Sequence, residues 1–300
     1  MTDNGVIPFG FAVEEQSCPI DIGEFTFDAV ESACSFRGKE NFCVVISCRP
    51  KNESRTVFWK CLATGTFAFE NEGIGALADF HFWKATFNKE STKLHGHYSK
   101  AKYSEAYKSV GRPQRGAIQI QIVKSICVDF AKPDNQLIAD PSYAAKINIE
   151  DEELWLSKKR LSAHSPFFDA LFNGDFKEKA EGEYKLDDVN LEEFIHFVGI
   201  LHCFNMSIDK DSVEYLAKLA DMWQCDLILQ RCEEFLSKAS DTEVPQMKKL
   251  LLADRFKLQE LLLDCIGKIS INEAKAMYQN PKLSPFLKSV LVKKACVIDG

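Results

Sequence analysis

The chain has 300 residues and a mass of 34.0 kDa, which is more than one domain usually needs, so we expect at least two packed units. Hydrophobic residues make up 46% of it and charged residues 27%, which excludes a collagen-like fibre, a coiled coil and a long disordered protein. The formal net charge of -7 argues against non-specific binding to nucleic acid.

Membrane, secretory and catalytic signals are missing from the sequence. No apolar run approaches the roughly 18 residues of a membrane helix, and no basic start precedes an apolar segment at the N-terminus. The 11 cysteines therefore indicate free thiols in a reducing compartment, cytoplasmic or nuclear. No Cys-x-x-Cys pair occurs, and the phosphate-loop, nucleophile-elbow and zinc-protease motifs are absent. We therefore expect no metal, no cofactor and no enzymatic activity.

The N-terminal half has the pattern of β structure. Between about residues 24 and 130, short runs rich in Val, Ile, Phe and Thr alternate with polar breaks. Isoleucine and glutamine alternate over residues 117–122, which places the isoleucines on one side of a strand. This pattern predicts an antiparallel β-sandwich. Predicted strands include residues 25–27, 42–48, 57–61, 66–69, 80–86 and 118–126.

A change of period follows the polar segment 131–135, and we place a domain boundary there. Residues 146–150 alternate as a strand, and the rest is mainly helical. Ser165 and Pro166 predict a helix start, because Ser is a favourable N-cap and Pro a favourable first-turn residue. Residues 193–204 have helical periodicity. Asp211 with Glu214 predicts a capping box, and Asp241 or Thr242 predicts a cap with Pro245 in the first turn.

Two C-terminal segments share a pattern at an offset of 33 residues. Leu-Ala-Asp-x-aromatic occurs at 219–223 and again at 252–256, and the same offset pairs Cys232 with Cys265. We interpret the pair as successive helical hairpins that pack alike. The alternative is that such apolar positions recur in any pair of helices.

Residues 142–238 resemble a BTB (POZ) domain. The resemblance rests on four segments in the family's order: 156–168 (LSKKRLSAHSPFF), 169–178 (DALFNGDFKE), 185–189 (KLDDV) and 232–236 (CEEFL). The tail resembles the helical BACK or 3-box extension of ligase adaptors. The β-rich half, with FWKC at 58–61 and FHFW at 80–83, looks like a diverged MATH (TRAF-like) sandwich, although another sandwich remains open.

The resemblance implies a multidomain α+β protein in three parts. We expect an antiparallel β-sandwich over residues 1–130, an α/β BTB domain over residues 131–238, and a short helical extension over residues 239–300. Its implied function is that of a substrate-recognition adaptor of a cullin-3 RING ubiquitin ligase. The BTB unit would bind the cullin and the sandwich would bind a target protein. The alternative is a BTB assembly scaffold or transcriptional co-regulator without cullin binding.

The resemblance also implies a cullin-binding motif. BTB proteins that recruit cullin-3 have a hydrophobic-x-Glu motif after the helix that Ser165 begins, and the matching residues here are Phe176, Lys177 and Glu178. An exposed aromatic would supply an anchor, and the carboxylate would supply a charge-assisted hydrogen bond. The alternative is that Phe176 closes the local core and Glu178 is solvated.

A dimer interface is the third expectation from the resemblance. The helix after Ser165 is strongly apolar, so it requires burial by its own core or by a second chain. The predicted interface consists of Leu161, Phe167, Phe168, Leu171 and Phe172. Ala144 and Ser157 depart from the family's usual Asp and His, which weakens the charged pocket of the dimer although Lys158 remains. A monomer, a homodimer and a heterodimer with another BTB chain stay open.

Target binding could involve a basic stretch in the sandwich. Cations outnumber acidic groups between residues 96 and 128, and Arg112 and Arg115 are the predicted contacts to an acidic segment of the target. The alternative is a solvated hairpin face. The expected partners are thus a cullin-3-type scaffold, a protein substrate and a possible second BTB chain, with no membrane and no nucleic acid.

Overall fold

The computed structural model describes residues 3–10, 17–36, 39–70, 77–99, 115–174, 182–204 and 206–296. The chain divides into two compact units, Met1–Asp129 and Phe130–Gly300. The predicted three-part division at residues 130 and 238 stays a prediction.

The first unit contains two antiparallel four-stranded sheets. One has the strand order β1-β8-β5-β6 and the other β2-β3-β4-β7, and these sheets fit the predicted sandwich. The predicted strand segments lie within longer strands. The strands are β1 (Asn4–Gly10), β2 (Ile20–Ile22), β3 (Phe25–Phe36), β4 (Lys39–Pro50), β5 (Val57–Glu70), β6 (Leu77–Asn88), β7 (Lys93–Ser99) and β8 (Arg115–Asp129).

Alternation of side chains builds the core of this unit. Ile118 and Ile120 on β8 are buried while Gln119 and Gln121 are exposed, so the predicted isoleucine face is confirmed. Phe27 on β3 and Phe87 on β6 meet edge to face at 6.0 Å. The core therefore contains aromatic side chains from strands of both sheets.

Gly65 on β5 sits where the backbone leaves no room for a side chain. A Cβ atom at this position would lie 1.8 Å from the carbonyl oxygen of Gln119 and 2.7 Å from the Trp83 ring. The neighbouring strand cannot retreat without breaking its ladder, because β5 pairs with β8 along its length. Gly65 is therefore required by close packing.

We expect Gly65→Ala to destabilise the first unit by about 2 kcal/mol or more, since the clash is with backbone as well as a packed ring. The measurement is urea unfolding of the full chain. Gly5→Ala is the matched control, because the three atoms nearest to its Cβ belong to the side chains of Ile20 and Ile22 and not to backbone. Equal losses in the two variants would contradict the explanation.

The second unit begins with a small sheet and continues as helices. β9 (Ala144–Ile149) pairs antiparallel with β10 (Glu152–Ser157) and parallel with β11 (Glu183–Lys185). Among the described residues, none of the helices is long and apolar enough to cross a membrane. The helices are α1 (Lys158–His164), α2 (Pro166–Asn173), α3 (Leu191–Leu201), α4 (Val213–Met222), α5 (Asp226–Lys238), α6 (Gln246–Phe256), α7 (Gln259–Lys268), α8 (Ile271–Met277) and α9 (Pro285–Ala295).

The predicted helix starts have mixed outcomes. Ser165 caps α2 by accepting from the backbone N–H of Phe168, as predicted. The capping box of Asp211 is wrong, because α4 begins after Ser212 and the Asp209 carboxylate binds that turn. The cap at Asp241 or Thr242 is also wrong. Pro245 occupies the N-cap of α6 instead.

The 33-residue repeat is confirmed in backbone and core. Gln224 after α4 and Lys257 after α6 both adopt the left-handed conformation, with φ of 54° and 56°. The next residue in each case donates to an alanine carbonyl, Cys225 to Ala220 at 2.7 Å and Leu258 to Ala253 at 2.9 Å. Cys232 and Cys265 are both buried. The two hairpins α4–α5 and α6–α7 therefore turn and pack alike.

The polar segment after residue 129 is attached to β10. The Phe130 carbonyl accepts from the N–H of Trp155 at 2.7 Å, and the Asn135 amide donates to the Trp155 carbonyl at 2.9 Å. Asn135 is buried despite its polarity. This segment is thus part of the second unit and covers the outer side of β10 at Trp155.

Candidate functional site

Trp223 is the centre of the packing beneath α2. It is 1% exposed, and its ring meets three phenylalanine rings. The ring centroids of Phe168, Phe194 and Phe197 lie 5.1, 5.5 and 4.8 Å away, and the last two contacts are edge to face. Such aromatic contacts add to the burial of area. Trp223 therefore joins α2, α3 and the end of α4 in one core.

Ser165 connects the start of α2 to Trp223 through a hydrogen bond. Its hydroxyl donates to the Trp223 carbonyl at 2.5 Å and accepts from the N–H of Phe168 at 3.2 Å. The hydroxyl thus acts as both donor and acceptor, and Ser165 is 1% exposed. Ser165 is therefore the N-cap of α2 and also fixes the start of this helix against Trp223.

The five residues predicted for the dimer interface fall into two groups. Leu161, Phe168 and Phe172 are buried in the core of their own chain, at 1%, 0% and 3% exposure. Phe167 and Leu171 on α2 are half-buried. The first three therefore support the helices from inside. A partner chain at this surface would contact Phe167 and Leu171, and the interface itself stays a prediction.

The predicted cullin and target residues fall largely outside the described residues. Phe176, Lys177 and Glu178 all do, as does Arg112. The backbone of Arg115 begins β8 opposite Gly10. The last described residue before the motif, Gly174, donates from its backbone to Ala170 at the end of α2. In the sequence, the motif follows α2, and Trp223 and Ser165 hold that helix in place.

The two residues that depart from the usual BTB pattern, Ala144 and Ser157, are paired across β9 and β10. Ser157, where the family usually has His, caps α1 by accepting from the N–H of Arg160 at 3.3 Å. The neighbouring Lys158 ammonium lies 5.5 Å from the centroid of the Tyr184 ring, a cation–π arrangement. Ala144 begins β9. Ser157 therefore has a local structural role, as the N-cap of α1.

A charged and aromatic cluster lies beside α1. Arg160 donates from Nε to the Leu201 carbonyl at 3.0 Å, at the end of α3. Next along the chain, the His202 ring stacks on Phe204 with centroids 5.5 Å apart. Burial, followed by the positive charges of Arg160 and His164, lowers the pKa of His202 to about 4. His202 is therefore neutral near pH 7.

A groove runs along α5. It has a volume of about 440 Å³ and combines apolar side chains with charges of both signs. Met206, Ile208 and Phe235 supply the apolar surface. The charged residues are Arg231, Glu234, Lys238 and Glu243. Such a surface suits an extended segment of a protein partner, which needs an apolar anchor and a polar rim.

The sandwich exposes an aromatic side chain on one sheet. Phe82 on β6 is 81% exposed, and the strand register aligns it with Thr66, Gln119 and Val6 across the four strands. Thr66 and Gln119 are joined by a hydrogen bond of 3.2 Å, and Val6 is 53% exposed. An exposed aromatic beside small polar groups is a common composition of binding surfaces. No local sequence pattern marks this row, because its members belong to four separate strands.

Comparison with known proteins identifies the class of the second unit. Residues 144–240 match the BTB/POZ domain family. That range contains β9 to β11 and helices α1 to α5. The chain therefore contains a BTB/POZ domain, followed by further helices and preceded by antiparallel sheets.

The relatives pair this domain with others. The chain is 31% identical over 154 residues to BTB and MATH domain-containing protein 38 of Caenorhabditis elegans. The aligned segment covers 50% of the chain and 39% of that protein. It is 32% identical over 123 residues to protein 15 of the same series and organism, covering 41% and 44%. Kelch repeat and BTB domain-containing protein 4 of Mus musculus is 26% identical over 188 residues, covering 62% and 33%. The matched segments thus span less than half of each relative.

We expect Ser165→Ala to lower the free energy of unfolding of the second unit by about 1–3 kcal/mol, because it removes a helix cap and leaves the Trp223 carbonyl without this donor. Urea unfolding followed by the far-ultraviolet signal of the helices measures it. Ser162→Ala, a substitution within α1, is the control and should change stability by less than about 0.5 kcal/mol. A Ser165 variant as stable as the control would refute the role of this bond.

The low pKa of His202 predicts a loss of stability in acid. The unfolded chain binds a proton near pH 6.5 and the folded chain near pH 4, so stability falls as pH decreases through this window. We expect the difference in unfolding free energy between pH 7 and pH 5 to be about 1–2 kcal/mol smaller in His202→Gln. Urea titrations at the two pH values measure this. An unchanged difference would show that His202 does not contribute.

Proposed function

We propose that the chain is a substrate-recognition adaptor of a cullin-3 RING ubiquitin ligase. One observation carries the proposal: a BTB/POZ domain and a β-sandwich with an exposed phenylalanine, Phe82, are joined in one chain as two compact units. Relatives named for BTB with MATH or Kelch repeats support this combination. The BTB unit would bind the cullin, and the sandwich would bind the protein to be modified.

Such an adaptor works by tethering. Binding both proteins on one chain raises the local concentration of the target near the ligase to roughly the mM range. Ubiquitin transfer then becomes effectively intramolecular, and the chemistry belongs to the ligase. This mechanism requires two independent binding surfaces, one in each unit.

The cullin surface in this proposal contains Phe176, Lys177 and Glu178. Their position after α2 supports it, because Trp223 and Ser165 hold that helix rigidly. The phenylalanine would anchor in a pocket of the cullin, and the carboxylate would fix the register. The groove along α5 would hold an extended segment of the same partner. A second BTB chain would contact Phe167 and Leu171.

The target surface in this proposal is the row around Phe82, with Arg112 and Arg115 as additional contacts to an acidic segment. A single exposed aromatic can supply much of the binding energy of such an interface. The polar groups of Thr66 and Gln119 beside it would set orientation.

The cullin proposal predicts tight binding of the full chain to the isolated N-terminal domain of cullin-3. We expect Phe176→Asp combined with Glu178→Ala to weaken it by about 100-fold or more, since an anchor and a charge-assisted bond are both lost. Calorimetry with light scattering gives affinity and oligomeric state together. Phe82→Ser, in the sandwich, is the control and should bind the cullin as wild type does. No binding by folded wild type would reject the proposal and favour an assembly protein.

The target proposal predicts that the Phe82→Ser variant no longer binds target proteins that wild type captures, and that its stability is unchanged. Because Phe82 is largely exposed, its unfolding free energy should change by less than about 0.5 kcal/mol. Val123→Ser is the matched control, since Val123 is an exposed apolar residue of the same sheet, 56% exposed. Quantitative co-purification compares the two variants with wild type. If both lose the same proteins, or neither loses any, Phe82 is not the contact.

A further inference from the structure

A second candidate site is a cleft in the sandwich whose lining includes three strands of the sheet that does not contain Phe82. It has a volume of about 530 Å³, within the roughly 300–1,000 Å³ typical of ligand pockets. Its lining includes Asp28 and Val30 on β3, Ser47 on β4, and Lys93 on β7. The register pairs Asp28 with Ser47 and Ser47 with Lys93, so these three residues form one row across three strands.

Asp28 is the unusual member of this row. It is 4% exposed, yet no residue in the described ranges gives its carboxylate a hydrogen bond or an ion pair. Burying a carboxylate without a partner is unfavourable. By contrast, two more exposed carboxylates of the same unit have partners. Asp21 accepts from Thr26 at 2.8 Å and pairs with Lys51 at 3.3 Å, and Asp129 accepts from Asn52 and Thr56 at 3.0 Å each.

The cationic side chains near Asp28 either have other partners or lie on a different strand. Arg49 pairs with Glu53 at 3.6 Å, and the Lys89 ammonium donates to the Arg55 carbonyl at 3.0 Å. Lys93 is exposed and lies two strands away from Asp28. The cleft thus has the buried Asp28 carboxylate in its wall, and its lining also contains three cations and Glu53. A ligand that suits it needs a cationic group for Asp28 and neutral or acidic groups beside it.

We propose that this cleft binds a lysine or arginine side chain of a partner protein, flanked by acidic residues that meet the cations of its lining. The buried carboxylate would form a charge-assisted pair with the ammonium or guanidinium group. Lys93 and Arg49 would contact the flanking carboxylates and would disfavour a purely basic segment. This proposal does not depend on the Phe82 row or on cullin binding, so it can be tested separately from both.

The test measures fluorescence anisotropy of a labelled peptide, acetyl-Gly-Glu-Arg-Glu-Gly-amide, with the full chain. The control peptide has citrulline in place of arginine, which keeps the shape and removes the charge. We expect wild type to prefer the arginine peptide by about tenfold or more, and Asp28→Asn to abolish that preference. Phe82→Ser, on the other sheet, should bind within about twofold of wild type.

Several outcomes would overturn the proposal. Equal binding of the two peptides by wild type, or an unchanged preference in Asp28→Asn, would exclude an ion pair with Asp28. No binding of either peptide at mM concentration would exclude the site. If Asp28→Asn and Lys93→Met lower the melting temperature equally and neither peptide binds wild type, then Asp28 pairs with Lys93 within the sheet. Thermal melts of each variant keep unfolding separate from lost binding.

Discussion

The packing of Trp223 against three phenylalanines is the constraint on which the BTB/POZ unit depends. The indole brings α2, α3 and the end of α4 together, and the Trp223 carbonyl receives the Ser165 hydroxyl. A side chain of this size, fully buried, sets both spacing and angle for the helices around it. The position of α2 is a consequence of that one core.

The C-terminal helices extend this design by repetition. Trp223 closes the first hairpin at the position that Phe256 takes in the second, and each aromatic is followed by a left-handed residue. Because each hairpin repeats the same turn and burial pattern, neighbouring hairpins can pack by similar contacts. The helices after the domain thus continue its architecture.

Sequence patterns predicted the elements better than their ends. The alternation of Ile118 and Ile120 identified a buried strand face, and Ser165 identified a helix start, since both signals are local. The capping box at Asp211 is wrong because the Asp209 carboxylate accepts hydrogen bonds in this turn, from the N–H of Asp211 and from the N–H and hydroxyl of Ser212. The Phe82 row and the Asp28 cleft could not be predicted, because strand register across separate segments creates them. The burial of Phe168 and Phe172 likewise depends on Trp223 and Tyr184, which are distant in sequence.

The attachment of residues 130–135 to β10 has a consequence for how copies of the chain can associate. An uncovered edge strand offers its N–H and C=O groups to any passing chain and so promotes strand exchange and aggregation. At Trp155 both outward groups are already taken, by Phe130 and by Asn135. The β10 edge of the sheet is therefore closed to pairing with a strand of another chain at this point.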